Sequence, residues 1–307
     1  MKTETAKRRR LSALSAWRAP VTGLIGALAL VGIVLAAGSG FEAVDDRGQT
    51  IALSRAPERV VVLGAFYAQM LVDLGADGLV VGLGDSPDNP PELRSVASVG
   101  PAYAPSVELI LSCAPDLVLG ATDWNGDRGA LEAAGVPVYS APWFVSVESL
   151  FDAVTRVGTV LGKAREAEAL VGRVRGAMDE AMAGAGAAQT ASTRVAYVYA
   201  QPGGTLYAMG KGTPEDDLLT KAGVRNAFSE VEGYTQISIE ALVARDPAFI
   251  VTDPTQIGIF LDHPVLSTLT AVVSGRVVGV PARLVASTRI HEAFRTIVNA
   301  IAGRRTG

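Results

Sequence analysis

Disulfide chemistry is missing from this chain: its 307 residues include one cysteine, Cys113, so no intramolecular disulfide can form. That cysteine falls in an apolar helical stretch, where it reads as a packing residue and not a nucleophile. Histidine is nearly absent too. His263 and His291 stand far apart, with no H-E-x-x-H pair and no cysteine cluster, so no resident metal is expected and both read as ordinary surface or cleft histidines. No G-x-S-x-G elbow supports a hydrolase. Ala208–Thr213 invites comparison with a phosphate-binding loop. It fails, because Thr205 stands where the first glycine is needed and Gly212 where Ser or Thr should follow the lysine. With no G-x-G-x-x-G after the first strand either, nucleotide cofactors are excluded and the chain is expected not to be an enzyme. Charge is modest, 19% of residues with a net of −4, which argues against nucleic acid, since phosphate binding needs a basic surface.

What is present is a sentence said twice. Residues 106–122 read SVELILSCAPDLVLGAT and residues 238–254 read SIEALVARDPAFIVTDP, in register at an offset of 132 residues. Ser106 falls on Ser238, Glu108 on Glu240 and Pro115 on Pro247, each proline followed by an apolar strand run. The spacing is too long for a solenoid repeat. It predicts an α/β fold of two similar lobes, each on a parallel sheet, with a ligand cleft between them.

The rest of the chain fits that plan. Lys7, Arg8, Arg9, Arg10 and Arg18 precede an apolar run from 19 to 37 that ends in small residues, so 1–40 reads as a signal peptide or an N-terminal membrane anchor, with the body outside the cytoplasm. Strands at 59–64, 79–82, 117–119 and 136–139 alternate with helices and give a first lobe over 41–145. From 146 to 187 no strand signal occurs. Ser149-x-x-Asp152 reads as a helix start, and Leu150, Val154, Val157 and Leu161 keep helical spacing, so one long linking helix is expected, with Gly162 as its weak point. A second lobe over 188–307 begins with the strand Arg194–Tyr199, a glycine-rich loop from 201 to 212, a late strand at 276–280 and a closing helix at 292–302.

Aromatic residues make up only 6% of the chain, so their placement is informative. Tyr67, Tyr103, Trp124, Trp143, Tyr207 and Tyr234 follow strands or precede helices, where the loops of an open α/β sheet face the crevice. They are candidates to contact a large flat ligand, with core or rim packing the equal alternative. Glu108 and Glu240 read first as helix-dipole carboxylates, and second as one carboxylate per lobe offered to a symmetric basic partner.

PERVVVLGAFYAQMLVDLG (57–75), VGPAYAPSVELILSCAPDLVLG (99–120), AAGVPVY (133–139), the helix from 146 and ISIEALVARDPAFIVTDP (237–254) stand in an order that resembles the extracytoplasmic substrate-binding proteins of ABC importers for ferric siderophores, haem and cobalamin. The resemblance spans roughly residues 43–303. It implies two α/β lobes joined by one long helix, limited closure, a metal-chelate ligand in the cleft, and delivery to an ABC permease dimer with its ATPase. It also implies that Glu108 and Glu240 dock on arginines of the permease, and GKGTPEDDLLTKAGVRNAF (210–228) resembles the opening of the second lobe in the haem and iron members. The departures are alanines, Ala102 and Ala121, near the positions of the tryptophans that stack on cobalamin, and no lipoprotein cysteine. Haem would need an axial Tyr or His. Arg283 and Arg289 are candidates to face an anionic chelate. The rival reading is a membrane-anchored ligand sensor or scaffold of the same fold without a transport role.

Overall fold

In the computed structural model, residues 41–121, 128–185, 192–201 and 203–303 are described. The expected signal or anchor segment, 1–40, lies outside them. Among the described residues no helix is long and apolar enough to cross a membrane.

A short hairpin, β1 (Phe41–Val44) and β2 (Thr50–Leu53), precedes the first lobe. Its turn is held by the buried Asp45, whose carboxylate accepts the backbone N–H groups of Arg47 and Gln49, both at 2.9 Å. The first lobe is built on β3 (Val60–Leu63), β4 (Val80–Asp85), β5 (Ala97–Pro101), β6 (Leu117–Ala121) and β7 (Val138–Ala141), with helices α1 (Ala65–Asp73), α2 (Val107–Ser112) and α3 (Arg128–Ala133). Every pairing is parallel, in the order β5-β4-β3-β6-β7. All four residues of β3 are buried, as expected for a strand covered on both faces. The chain winds outward from β3 to β5 and then returns to add β6 and β7 on the other side. The switch point therefore lies between β3 and β6, and the crevice at their carboxyl ends is where such sheets bind ligands.

The linking segment is two helices, not the single helix expected. α4 (Val147–Val160) begins at the N-cap Ser146, whose hydroxyl accepts from Ser149 N while the Ser149 hydroxyl accepts from Ser146 N. The start thus lies three residues earlier than the Ser149–Asp152 pattern suggests. α4 ends at Leu161, and Gly162 takes φ +69, a left-handed conformation that stops a helix. α5 (Ala164–Ala185) then packs back on α4 so closely that a Cβ on Gly158 would stand 2.4 Å from Ala167 Cβ.

The second lobe contains β8 (Arg194–Ala200), β9 (Leu206–Met209), α6 (Pro214–Lys221), β10 (Arg225–Asn226), β11 (Tyr234–Ile237), α7 (Ile239–Arg245), β12 (Phe249–Thr252), α8 (Ile257–Asp262), α9 (Thr270–Val273), β13 (Val277–Gly279), α10 (Ala282–Val285) and α11 (Ile290–Ile301). Its sheet is mixed. β8, β12 and β13 run parallel, but one edge of β8 is shared by the parallel β10 at its start and the antiparallel β9 at its end. The glycine-rich stretch, expected as a loop to residue 212, instead folds into a hairpin. Gly203 and Gly204 both take positive φ, and the Gln201 N–H donates to Thr205 O at 2.8 Å. β11 extends this antiparallel edge. α11 buries Ile290, Ala293, Phe294, Ile297 and Val298, a helical i, i+3, i+4, i+7 stripe, and packs on α5.

The repeat seen in the sequence extends to the backbone. Ala114 and Asp246, separated by the same 132-residue offset, are the non-glycine residues with positive φ among those described, at 45° and 35°. Each ends its helix before Pro115 or Pro247, and β6 or β12 follows.

Candidate functional site

Leu63 ends β3, and Gly64, at φ +119, turns the chain into α1 at the switch point. Only glycine adopts this conformation without strain. No side chain caps α1, whose first intrahelical bond runs from Ala68 N to Gly64 O at 3.1 Å. The N–H groups of Ala65 and Phe66 therefore lack helical acceptors, and this positive end of the helix borders the cleft. A pocket of about 230 Å³ opens there, lined by 63–67 and Gln69, by Asp88 and Trp143, and by 283, 284, 286, 287 and 289 of the second lobe. Pockets enclosing a drug-sized molecule run to ~300–1,000 Å³, so this hollow holds one part of a larger ligand.

The floor is aromatic and rigid. Phe66 packs on Tyr67, ring centroids 4.9 Å apart and edge-on, and on Phe144 at 4.7 Å. Tyr67 is buried, and its hydroxyl lies 3.1 Å from the carbonyl oxygens of both Ala141 and Pro142, to which it donates. It offers the cleft its ring, with the oxygen already engaged at the end of β7. Trp143 stands on the rim, 61% exposed. Arg283 and Arg289 form the opposite wall. Arg289 donates to Glu292 from Nε (2.8 Å) and Nη2 (3.1 Å), and this pairing raises its pKa above the ordinary arginine value.

The remaining candidates are dispersed. Tyr103, 79% exposed, lies between β5 and α2, away from this pocket. Tyr207 is half-buried in β9, opposite Tyr199 on one side and Gln236 on the other. Tyr234 begins β11, 57% exposed, and its hydroxyl faces Glu215 Oε2 at 3.4 Å. Trp124 lies outside the described residues. Glu108 and Glu240 occupy the first turns of α2 and α7, behind the N-cap hydroxyls of Ser106 and Ser238. Both are exposed, and neither makes an ion pair among the described residues. The own backbone N–H and the Ser238 hydroxyl hold Glu240 below the ordinary glutamate range.

Sequence reasoning missed two groups. Phe66, Gln69, Asp88 and Ser287 line the cleft; Phe66 was signalled only by following the strand-ending Gly64. The second group surrounds Glu215, buried near the start of α6, whose Oε1 faces the Tyr199 hydroxyl at 3.4 Å while Tyr234 faces Oε2. Burial raises the Glu215 pKa, and its own backbone N–H and the two tyrosine hydroxyls only partly offset this. His263 and Cys113 are held in the fold: His263 Nδ1 accepts from Val265 N at 3.1 Å, and Cys113 is half-buried with its Sγ packed toward Gly82. Among the described residues no His, Cys, Asp and Glu cluster is arranged to hold a metal ion.

This architecture has relatives. Over 212 residues the chain is 24% identical to an uncharacterized ABC transporter substrate-binding lipoprotein of Bacillus subtilis, covering 68% of this chain and 67% of that protein. Over 249 residues it is 28% identical to a cobalamin-binding protein of Halobacterium salinarum, covering 77% of this chain and 66% of that one. The matches thus span about two thirds of these relatives' own lengths. The crystal structure of a periplasmic heme binding protein from Pseudomonas aeruginosa superposes with a TM-score of 0.71 at 27% identity, over 80% of this chain and 93% of that one. The family model for periplasmic binding proteins matches residues 60–284, most of the chain and both lobes, and the chain belongs to the periplasmic binding protein family, extracytoplasmic solute binders of ABC transporters.

Proposed function

We propose that this protein captures a metal-chelate ligand, a ferric siderophore, haem or a cobalamin-type tetrapyrrole, and delivers it to an ABC permease dimer with its ATPase. The observation that supports this most is the pocket at the switch point, lined from both lobes, beneath the uncapped start of α1. In this reading the Tyr67 ring, Trp143, Arg283 and Arg289 contact ligand, and Trp124 belongs to the same expectation. Tyr103, Tyr207 and Tyr234 stand outside the described pocket and are assigned no ligand contact there.

Glu108 and Glu240 are the docking carboxylates of this proposal. Each projects unpaired from the same turn of an equivalent helix. Their helices also carry exposed apolar residues, Leu109 and Leu111 on α2 and Val243 on α7. An exposed carboxylate on each lobe suits a partner that answers with one basic group on each half of a dimer. Reversing both charges (Glu108→Lys with Glu240→Lys) is expected to abolish uptake in cells while leaving ligand affinity unchanged. Affinity lost together with uptake, or uptake unaffected, would overturn the docking assignment.

A further inference from the structure

Both arginines of the cleft have a carboxylate in their neighbourhood, and one of them is ion-paired. Among the described residues the pocket presents Asp88 from the first lobe and Arg283 and Arg289 from the second. Arg289 is clamped by Glu292 through two hydrogen bonds, which fix its plane as well as its charge. Arg283 is the second residue of α10, and the helix's first N–H, from Ala282, donates to Asp253 Oδ2 at 3.1 Å. The Asp253 carboxylate therefore stands beside the turn that carries Arg283. Burial pushes Asp253 upward, but hydrogen bonds from Thr255 and Ala282, with Arg283 nearby, hold it below the ordinary aspartate range, so it is charged at neutral pH. Arg289 is thus ion-paired, Arg283 has the Asp253 carboxylate near its turn without a direct ion pair to it among the described residues, and Asp88 adds a negative charge to the same lining.

A multiply charged anion fits such a wall poorly. Arg289 keeps N–H donors beside the Glu292 pair, but an anion that reaches them comes close to the Glu292 carboxylate and meets Asp88 in the same lining. The rest of the lining suits a different ligand. Leu63, Phe66, Tyr67 and Leu284 offer apolar contact, Trp143 offers a ring face, and the start of α1 offers N–H groups to carbonyl-type acceptors. We propose that the cleft selects metal chelates of low net charge, rich in apolar surface and neutral acceptor oxygens, over polyanionic chelates. This rests on the cleft being the ligand site, as proposed above.

The test is titration of the full chain, purified in mild detergent, by fluorescence quenching. The probes are an iron(III) trishydroxamate (uncharged), cyanocobalamin (uncharged), haemin (two carboxylates) and an iron(III) triscatecholate (three negative charges). Tightest binding is expected from an uncharged probe, with the triscatecholate at least about tenfold weaker and the preferred affinity changing less than about twofold between low and high salt. Glu292→Gln, which frees Arg289, is expected to narrow the gap to the triscatecholate. Tightest binding by the triscatecholate, with steep salt dependence, overturns the charge inference and leaves the cleft reading intact. Binding of none of the four overturns both.

Discussion

Glu215 shows how one residue records its surroundings. A carboxyl 4% exposed, faced by two tyrosine hydroxyls at 3.4 Å, titrates late because burial penalises its charged form more than its hydrogen bonds favour it. A raised carboxyl pKa means that the folded state holds its proton longer than the unfolded chain. Its contribution to stability is therefore fully present below the ordinary value of 4.5 and declines as pH rises from there through the raised value. Glu215→Gln keeps the shape and removes the titration. Urea unfolding across that window should show the variant gaining on the wild type as pH rises, and parallel profiles would contradict the assignment. Nothing in PEDDLL distinguishes Glu215 from Asp216 and Asp217; only the packing of α6 against β8 and β10 buries one acid of the three. Tyr67 tells the same story. Its position after a strand made it a cleft candidate and it lines the pocket, but the engagement of its hydroxyl with Ala141 and Pro142 depends on the end of β7, more than seventy residues away.

At the scale of elements, the helix stops and strand runs were readable because their causes are local. Gly75, Gly135 and Gly223 each take positive φ just past a helix, and the all-buried β3 announces itself as VVVL. The linking segment was harder to read. Gly162 breaks it, but only the return of α5 onto α4 shows why Gly158 is small. A methyl there meets Ala167 Cβ at 2.4 Å and Lys163 O at 3.1 Å, so Gly158→Ala is expected to cost about 1–3 kcal/mol by overpacking. Gly172, exposed on α5 with nothing near its missing Cβ, is the control: Gly172→Ala should be neutral or stabilise by up to about 1 kcal/mol through helix propensity alone. Chemical denaturation of the two variants reads the difference directly. The β8–β9 hairpin was read as a loop because glycines mark a turn without saying whether the strands on either side pair.

For the whole molecule, the lobes are fastened as well as linked. The Thr288 hydroxyl, buried between α10 and α11, donates to Asp73 Oδ2 at the end of α1, while Gln69 donates to Asp73 Oδ1 at 3.1 Å. Val147 N, at the start of α4, donates to Asp217 Oδ2 on α6 at 2.8 Å. The first tie joins the lobes and the second holds the linking helix to the second lobe, and Thr288→Val removes the first while keeping its volume. A loss of about 1–3 kcal/mol in unfolding free energy is expected, because a half-buried carboxylate loses one of its two side-chain donors. Faster hydrogen exchange over 65–73 should accompany it; unchanged exchange there would mean the tie does not hold the lobes. The sequence by itself determined the two-lobed α/β plan, the 132-residue repeat and the positions of Glu108 and Glu240, because periodicity, glycine stops and helix caps are written in neighbouring residues. Only the tertiary structure decided which side chains share the cleft. That depends on how β3, Trp143 and the 283–289 segment meet across the switch point, and on which carboxylates reach the arginines first.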